Sequence, residues 1–242
     1  MSALLAAREP IYPLPYAARL AGLDVMTARR WTQGYKYKHG GELKQSAPVL
    51  YYATPPTKSS ADLTFEELLT LRLVRAFRQE AKLGLPTIKA AARIATTLYG
   101  VGNPFVTKMF YSDGRKVFLE LRERNEVHGQ QRLLVEALTG QQQFREVVEP
   151  SLFRNIVFLG NEPAEWRPKG KERSVVIRPD RAFGAPHIVN TGVRTDVLAD
   201  AVLAEGGDEP AVNAVASWFG LTEEQVGDAY AAEVGWRAST LN

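Results

Sequence analysis

The chain has 242 residues, 45% hydrophobic and 24% charged, a balance that excludes wholesale disorder and fits two compact units at ~100–200 residues each. It contains no cysteine, which removes disulfides, thiolate zinc sites and thiol catalysis, and no apolar run approaches the ~18–20 residues of a membrane span. The net charge of +3 conceals a division: residues 1–130 carry 19 Lys and Arg against 11 Asp and Glu, and residues 131–242 carry 11 against 16. In residues 183–242 only Arg194 and Arg237 oppose nine acids. A basic front suits a polyanion such as nucleic acid, and an acidic rear suits a protein partner or a solvated surface. Residues 1–7 lack the basic start of a signal peptide, so a cytoplasmic location is expected.

The expected fold class is mainly α with small β elements. Residues 12–34 read as two short helices around a tight turn, with Tyr16, Ala17, Leu20 and Leu23 at helical spacing. Gly22 stands where a C-cap glycine belongs and Asp24 where an N-cap belongs. In the second helix Ala28 and Trp31 share the inward stripe, leaving Thr27, Arg29, Arg30 and Gln33 on the outer surface. The alternating Tyr35-Lys36-Tyr37-Lys38 followed by Gly40-Gly41 predicts a β-hairpin returning through residues 49–52, with Lys44 on the same wing. The tyrosines could flank a phosphate, but strand aromatics more often pack on the domain beneath. Residues 54–60 read as a closing loop.

Thr64 and Glu67 form a capping box with Leu63 and Leu68 as its staple, and Leu68, Leu71, Val74 and Phe77 continue the stripe. Pro86 opens a further helix to about Gly100, which carries Ile88, Ala91, Ala92, Ala95 and Leu98. Residues 109–119 read as a hairpin about the turn Ser112-Asp113-Gly114, residues 127–139 as a helix, and residues 156–159 and 175–177 as strands. Residues 162–173 read as an exposed loop carrying Arg167, Lys169, Lys171 and Arg173. Towards the end, Thr195 begins a helix with Val197, Leu198, Ala201 and Val202 inward. A second helix-turn-helix follows, running from Pro210 through Gly220 to a Thr222–Gln225 capping box.

Donors on the first helix-turn-helix have the chemistry of a recognition helix: arginine can fork onto guanine, and Thr or Gln reaches phosphate or base. The candidate DNA-binding residues are therefore Thr27, Arg29, Arg30, Gln33, Lys36 and Lys38. The alternative is a helical hairpin whose arginines meet only water. No catalytic residue, metal site or cofactor is expected: His39, His128 and His187 lack ligand spacing, and Gly100-Val101-Gly102 lacks the strand and helix a dinucleotide loop needs.

Two resemblances extend this reading. The run from Tyr16 to Leu23, with Thr27-Ala28-Arg29-Arg30-Trp31, resembles the winged helix-turn-helix of MerR-type DNA-binding domains over about residues 10–100. Residues 175–193 resemble the family catalogued as domain of unknown function 433, matching at Gly184, Pro186, Ile188, Thr191 and Val193. Asn190 stands where that family has glycine and Gly192 where it has arginine, so no role of that arginine carries over. The combination looks like VapB-type antitoxins. It implies a DNA-binding unit over 1–100, a mixed middle region over 101–173, and a toxin-binding or dimerisation domain over 174–242. The implied partners are operator DNA, read as a homodimer, and a PIN-like ribonuclease toxin. Such a nuclease holds metal with carboxylates, which makes Arg167, Lys169, Lys171 and Arg173 the first toxin-binding candidates and Trp236 with Arg237 the second. The other reading is a stand-alone MerR-like regulator whose tail serves dimerisation or effector sensing.

Overall fold

A computed structural model of the chain describes residues 7–50, 62–130, 155–168 and 173–238, together with 132, 135, 136 and 139. It is mainly helical with small antiparallel strand pairs. Among the described residues no helix is long and apolar enough to cross a membrane.

Helices α1 (Leu14–Ala21) and α2 (Val25–Gln33) meet at Gly22, whose φ of 71° is the left-handed value a C-cap glycine supplies. The Asp24 carboxylate accepts from the Thr27 amide at 2.8 Å, and hydrogen bonding from the Thr27 side chain first, and then from that amide, holds it below the usual carboxylate range. Strands β1 (Tyr35–His39) and β2 (Glu42–Ser46) follow around Gly40 and Gly41, both at positive φ. The returning strand is therefore 42–46, because the glycine pair permits a two-residue turn. Val49 and Leu50 lie instead in a buried bend, where the Val49 amide donates to the Trp31 carbonyl at 2.7 Å. Tyr51, Tyr52 and the loop 54–60 lie outside the described residues.

Helix α3 (Phe65–Gln79) is the centre of the molecule. Both bonds of its Thr64–Glu67 capping box form, and Leu68, Leu69, Leu71, Leu73, Val74 and Phe77 are all enclosed. Helix α4 (Leu85–Tyr99) packs beside it, burying Ile94 rather than Leu98, which is 48% exposed.

The hairpin expected about Ser112-Asp113-Gly114 does not exist. Those residues lie within helix α5 (Lys108–Glu123), capped by the Thr107 hydroxyl, which accepts from the Phe110 amide at 3.1 Å. A helical glycine costs about 1 kcal/mol, whereas Phe110, Val117, Phe118 and Leu121 each disappear completely from solvent at helical spacing. The edge-on rings of Phe105, Phe110 and Phe118 surround Phe77 at 5.3, 6.2 and 6.0 Å between centroids. The core begun by α1–α4 thus continues past residue 100. Of the helix expected at 127–139, positions 130, 132, 135 and 136 are helical.

Strands β3 (Ile156–Leu159) and β4 (Glu162–Trp166) form the next hairpin, so the first part of the expected exposed loop is a strand with Pro163, Ala164 and Trp166 buried. A register shift between Val157 and Phe158 accommodates Pro163, which has no amide to give the ladder. Trp166 then pairs with Ile177, joining this hairpin to β5 (Val175–Val176) and β6 (His187–Ile188). Helices α6 (Thr195–Ala204), α7 (Glu209–Phe219) and α8 (Glu223–Ala238) close the chain. The second helix-turn-helix forms as expected, with Gly220 left-handed and both Thr222–Gln225 bonds made. Val197, expected inward on α6, is 45% exposed, and Ala199 is buried in its place.

The front and rear of the molecule are in contact. Glu233 on α8, 1% exposed, accepts from the Thr195 hydroxyl at 2.7 Å and faces Arg237 at 3.7 Å and Arg19 of α1 at 4.0 Å. Replacing Phe110 by alanine is expected to cost about 3–5 kcal/mol, measured as a lower urea midpoint with the transition still single.

Candidate nucleic-acid interface

Burial of Ala28 and Trp31 against the core fixes which side of α2 faces out. Met26, Arg29, Arg30 and Gln33, spaced at three, four and seven residues, are all exposed and form one outward stripe. Thr27 is half-buried at the helix start, its amide engaged by Asp24. Met26 is the member the sequence reading passed over. Its spacing from Arg29 and Arg30 was the available signal.

The wing carries its side chains into solvent on both faces: of β1 and β2 only Ser46 is half-buried. Alternation places Lys36 and Lys38 on one face and Tyr35, Tyr37 and Lys44 on the other. The tyrosines do not pack on the domain beneath. They are 37% and 41% exposed, lie 5.8 Å apart, and Tyr35 receives the Arg30 guanidinium at 5.7 Å from its ring centre. That contact ties α2 to the wing.

Two further features hold the wing at its angle. Gly34, at φ 73°, passes so close to the second strand that a Cβ there would lie 2.4 Å from the Ser46 carbonyl oxygen. Lys89 of α4 donates to the Ser46 hydroxyl at 2.9 Å and to the Ala47 carbonyl, and burial lowers its ammonium pKa. Arg29 and Arg30 on the helix and Lys36, Lys38 and Lys44 on the two faces of the wing are all exposed, and Glu42 is the acid on the wing.

The described positions expected to meet a toxin lie in the β3–β5 region and on α8, with Arg173 exposed. Arg167 is half-buried and donates to Glu165 at 2.6 Å, and Arg173 donates to Asp228 at 3.1 Å. Trp236 is buried, and Arg237 donates to Asp200 at 2.8 Å. Lys169 and Lys171 lie outside the described residues. The sequence reading missed the turn just downstream. Ala182, Phe183 and Gly184 have φ of 47°, 54° and 74°, a run of left-handed residues that is costly for the first two. Phe183 is 95% exposed, and beside it Arg181 is exposed with no ion pair among the described residues. Gly184 fits because a Cβ there would lie 2.7 Å from the Tyr12 hydroxyl. Downstream, Asn190 keeps the left-handed backbone (φ 64°) that glycine would give, and the Thr191 hydroxyl donates to the Ile188 carbonyl at 3.0 Å.

A cavity of about 470 Å³ opens where Thr64, Gly102 and Asn103 meet the β3–β4 turn. Glu66 lines it, with its pKa raised by burial, and Arg8 pairs there with Glu162. Among the described residues no group of His, Asp and Glu could hold a metal ion.

The arrangement of α1, α2 and the β1–β2 wing on α3 and α4 is a winged helix-turn-helix, joined to a helical rear unit. The same architecture occurs in the crystal structure of Rv2018 from Mycobacterium tuberculosis, with a TM-score of 0.68 over 91% of this chain and 97% of that one, at 24% identity. That degree of identity shows a common fold. No family model and no curated protein matches the chain.

Replacing Lys89 with methionine is expected to loosen the wing without unfolding the core. Hydrogen exchange of amides 35–46 should accelerate about tenfold, the value of one charge-assisted hydrogen bond, with the thermal midpoint nearly unchanged.

Proposed function

We propose that this chain is an antitoxin that represses its own operon by binding operator DNA and neutralises a PIN-like ribonuclease by direct contact. The observation that supports the DNA half is the exposed stripe of Arg29, Arg30 and Gln33 on a helix that Arg30 braces, through Tyr35, against an exposed wing bearing Lys36, Lys38 and Lys44. It is sized and charged for a major groove and its flanking phosphates. A homodimer would present two such helices to a two-fold symmetric site.

The partner half rests on the rear unit. Its acidity opposes contact with a duplex, yet it leaves Phe183, Trp218 and Phe219 exposed at 95%, 61% and 38%. Large aromatic groups left in water are the residues that anchor protein interfaces. With Arg167 and Arg173 already paired to acids, Arg181 beside Phe183 becomes the guanidinium available to a carboxylate-lined nuclease site.

A stand-alone regulator is the second reading, favoured by the cavity at Glu66 and Asn103, which has the volume of a small-effector site.

Arg29→Ala and Arg30→Ala are each expected to weaken operator binding and, for a phosphate contact, to lower the salt slope by about one, without loss of toxin neutralisation. Unchanged gel-shift affinity in both would overturn the DNA assignment. Phe183→Ala and Trp218→Ala should leave operator binding intact and reduce rescue of cells co-expressing the neighbouring PIN-like reading frame. Full rescue by the double variant would refute the partner face, and absence of any such reading frame would favour the regulator.

A further inference from the structure

Arg72 and Arg75 stand three residues apart on one face of α3, both half-buried. Arg72 Nη1 and Arg75 Nε are enclosed and have no hydrogen-bond partner. Neither side chain has an ion pair among the described residues, whereas Arg93, Arg124, Arg178 and Arg194 each hold a carboxylate. Burial lowers the Arg72 pKa and the charge of Arg75 lowers it further, with Glu80 acting the other way. Guanidinium keeps its proton under such pressure, so the consequence is an uncompensated positive pair rather than a neutral one.

The pair also has a defined location. The Arg75 guanidinium lies against the turn of the helix-turn-helix, where a Cβ on Gly22 would be 2.9 Å from Nη1. Two residues later Asp24 caps α2, so the Arg75 guanidinium lies near the positive end of that helix.

We propose that Arg72 and Arg75 form a phosphate-binding site beneath the turn between α1 and α2. Paired guanidinium forks match the oxygens of a phosphate group, and an anion seated there would offset both the desolvation and the mutual repulsion. The phosphate can belong to a duplex backbone or be a free oxyanion. Only the duplex source rests on the DNA-binding reading given above.

The test uses the full chain and two probes, inorganic phosphate and a random-sequence duplex. With ionic strength held constant by chloride, phosphate should raise the thermal midpoint of the wild type progressively, as ligand linkage requires. The R72Q/R75Q variant should lose that rise while remaining at least as stable as the wild type in chloride alone. If R75Q also lowers the salt slope of duplex binding by about one, and phosphate competes with the duplex, the backbone is the source. An unchanged slope with the phosphate response lost assigns a free oxyanion. Equal phosphate responses in wild type and double variant, with equal salt slopes, would overturn the site. A wild type that fails to bind any duplex would sink the DNA reading while leaving the phosphate arm decisive.

Discussion

The burial of α3 governs the rest of the structure. A helix with Leu68, Leu69, Leu71, Leu73, Val74 and Phe77 all removed from solvent cannot be satisfied by one neighbour. It needs α1 on one side and the Phe105–Phe110–Phe118 group on another. Once α1 is seated, the left-handed Gly22 and the Asp24 cap set where α2 begins, and Trp31 sets how it is rotated. The exposure of Arg29 and Arg30 is thus a result of packing several residues away.

A second constraint links the two ends of the chain. Glu233 is a carboxylate almost without solvent, and such a group is tolerable only when hydrogen-bonded and faced by positive charge. Thr195 supplies the hydrogen bond, while Arg237 and Arg19 supply charge from the rear and front units respectively. Tyr16, over which Arg19 lies at 5.0 Å, has its phenol pushed up to about 12 chiefly by burial at the same junction. Basic and acidic halves therefore meet at a specific contact.

Much of this was legible in the amino-acid order because caps are local. Thr64–Glu67 and Thr222–Gln225 could be read directly, as could the αL glycines at 22 and 220. The outward stripe of α2 followed from the spacing of Ala28 and Trp31. The failures occurred where local chemistry and long-range burial disagreed. Ser112-Asp113-Gly114 has turn propensity, but the spacing of Phe110, Val117 and Phe118 around it is helical. Glu162 and Pro163 look like loop residues, yet Ala164 and Trp166 pack inward only because a partner strand arrives from Ile156. The pairing of Arg167 with Glu165, and the outward thrust of Phe183, depend on backbone geometry that no periodicity encodes.

The aromatic cluster around Phe77 has a practical bearing on how the molecule can be dissected. A front fragment severed at Gly100 would carry α2 and the wing but strip Phe77 of the three rings that enclose it. Such a piece would present a wet apolar face and associate with itself, so a gel shift made with it would report stickiness as readily as sequence preference. Retaining α5 through Glu123 keeps that face dry, and the shortest informative front piece therefore includes that helix.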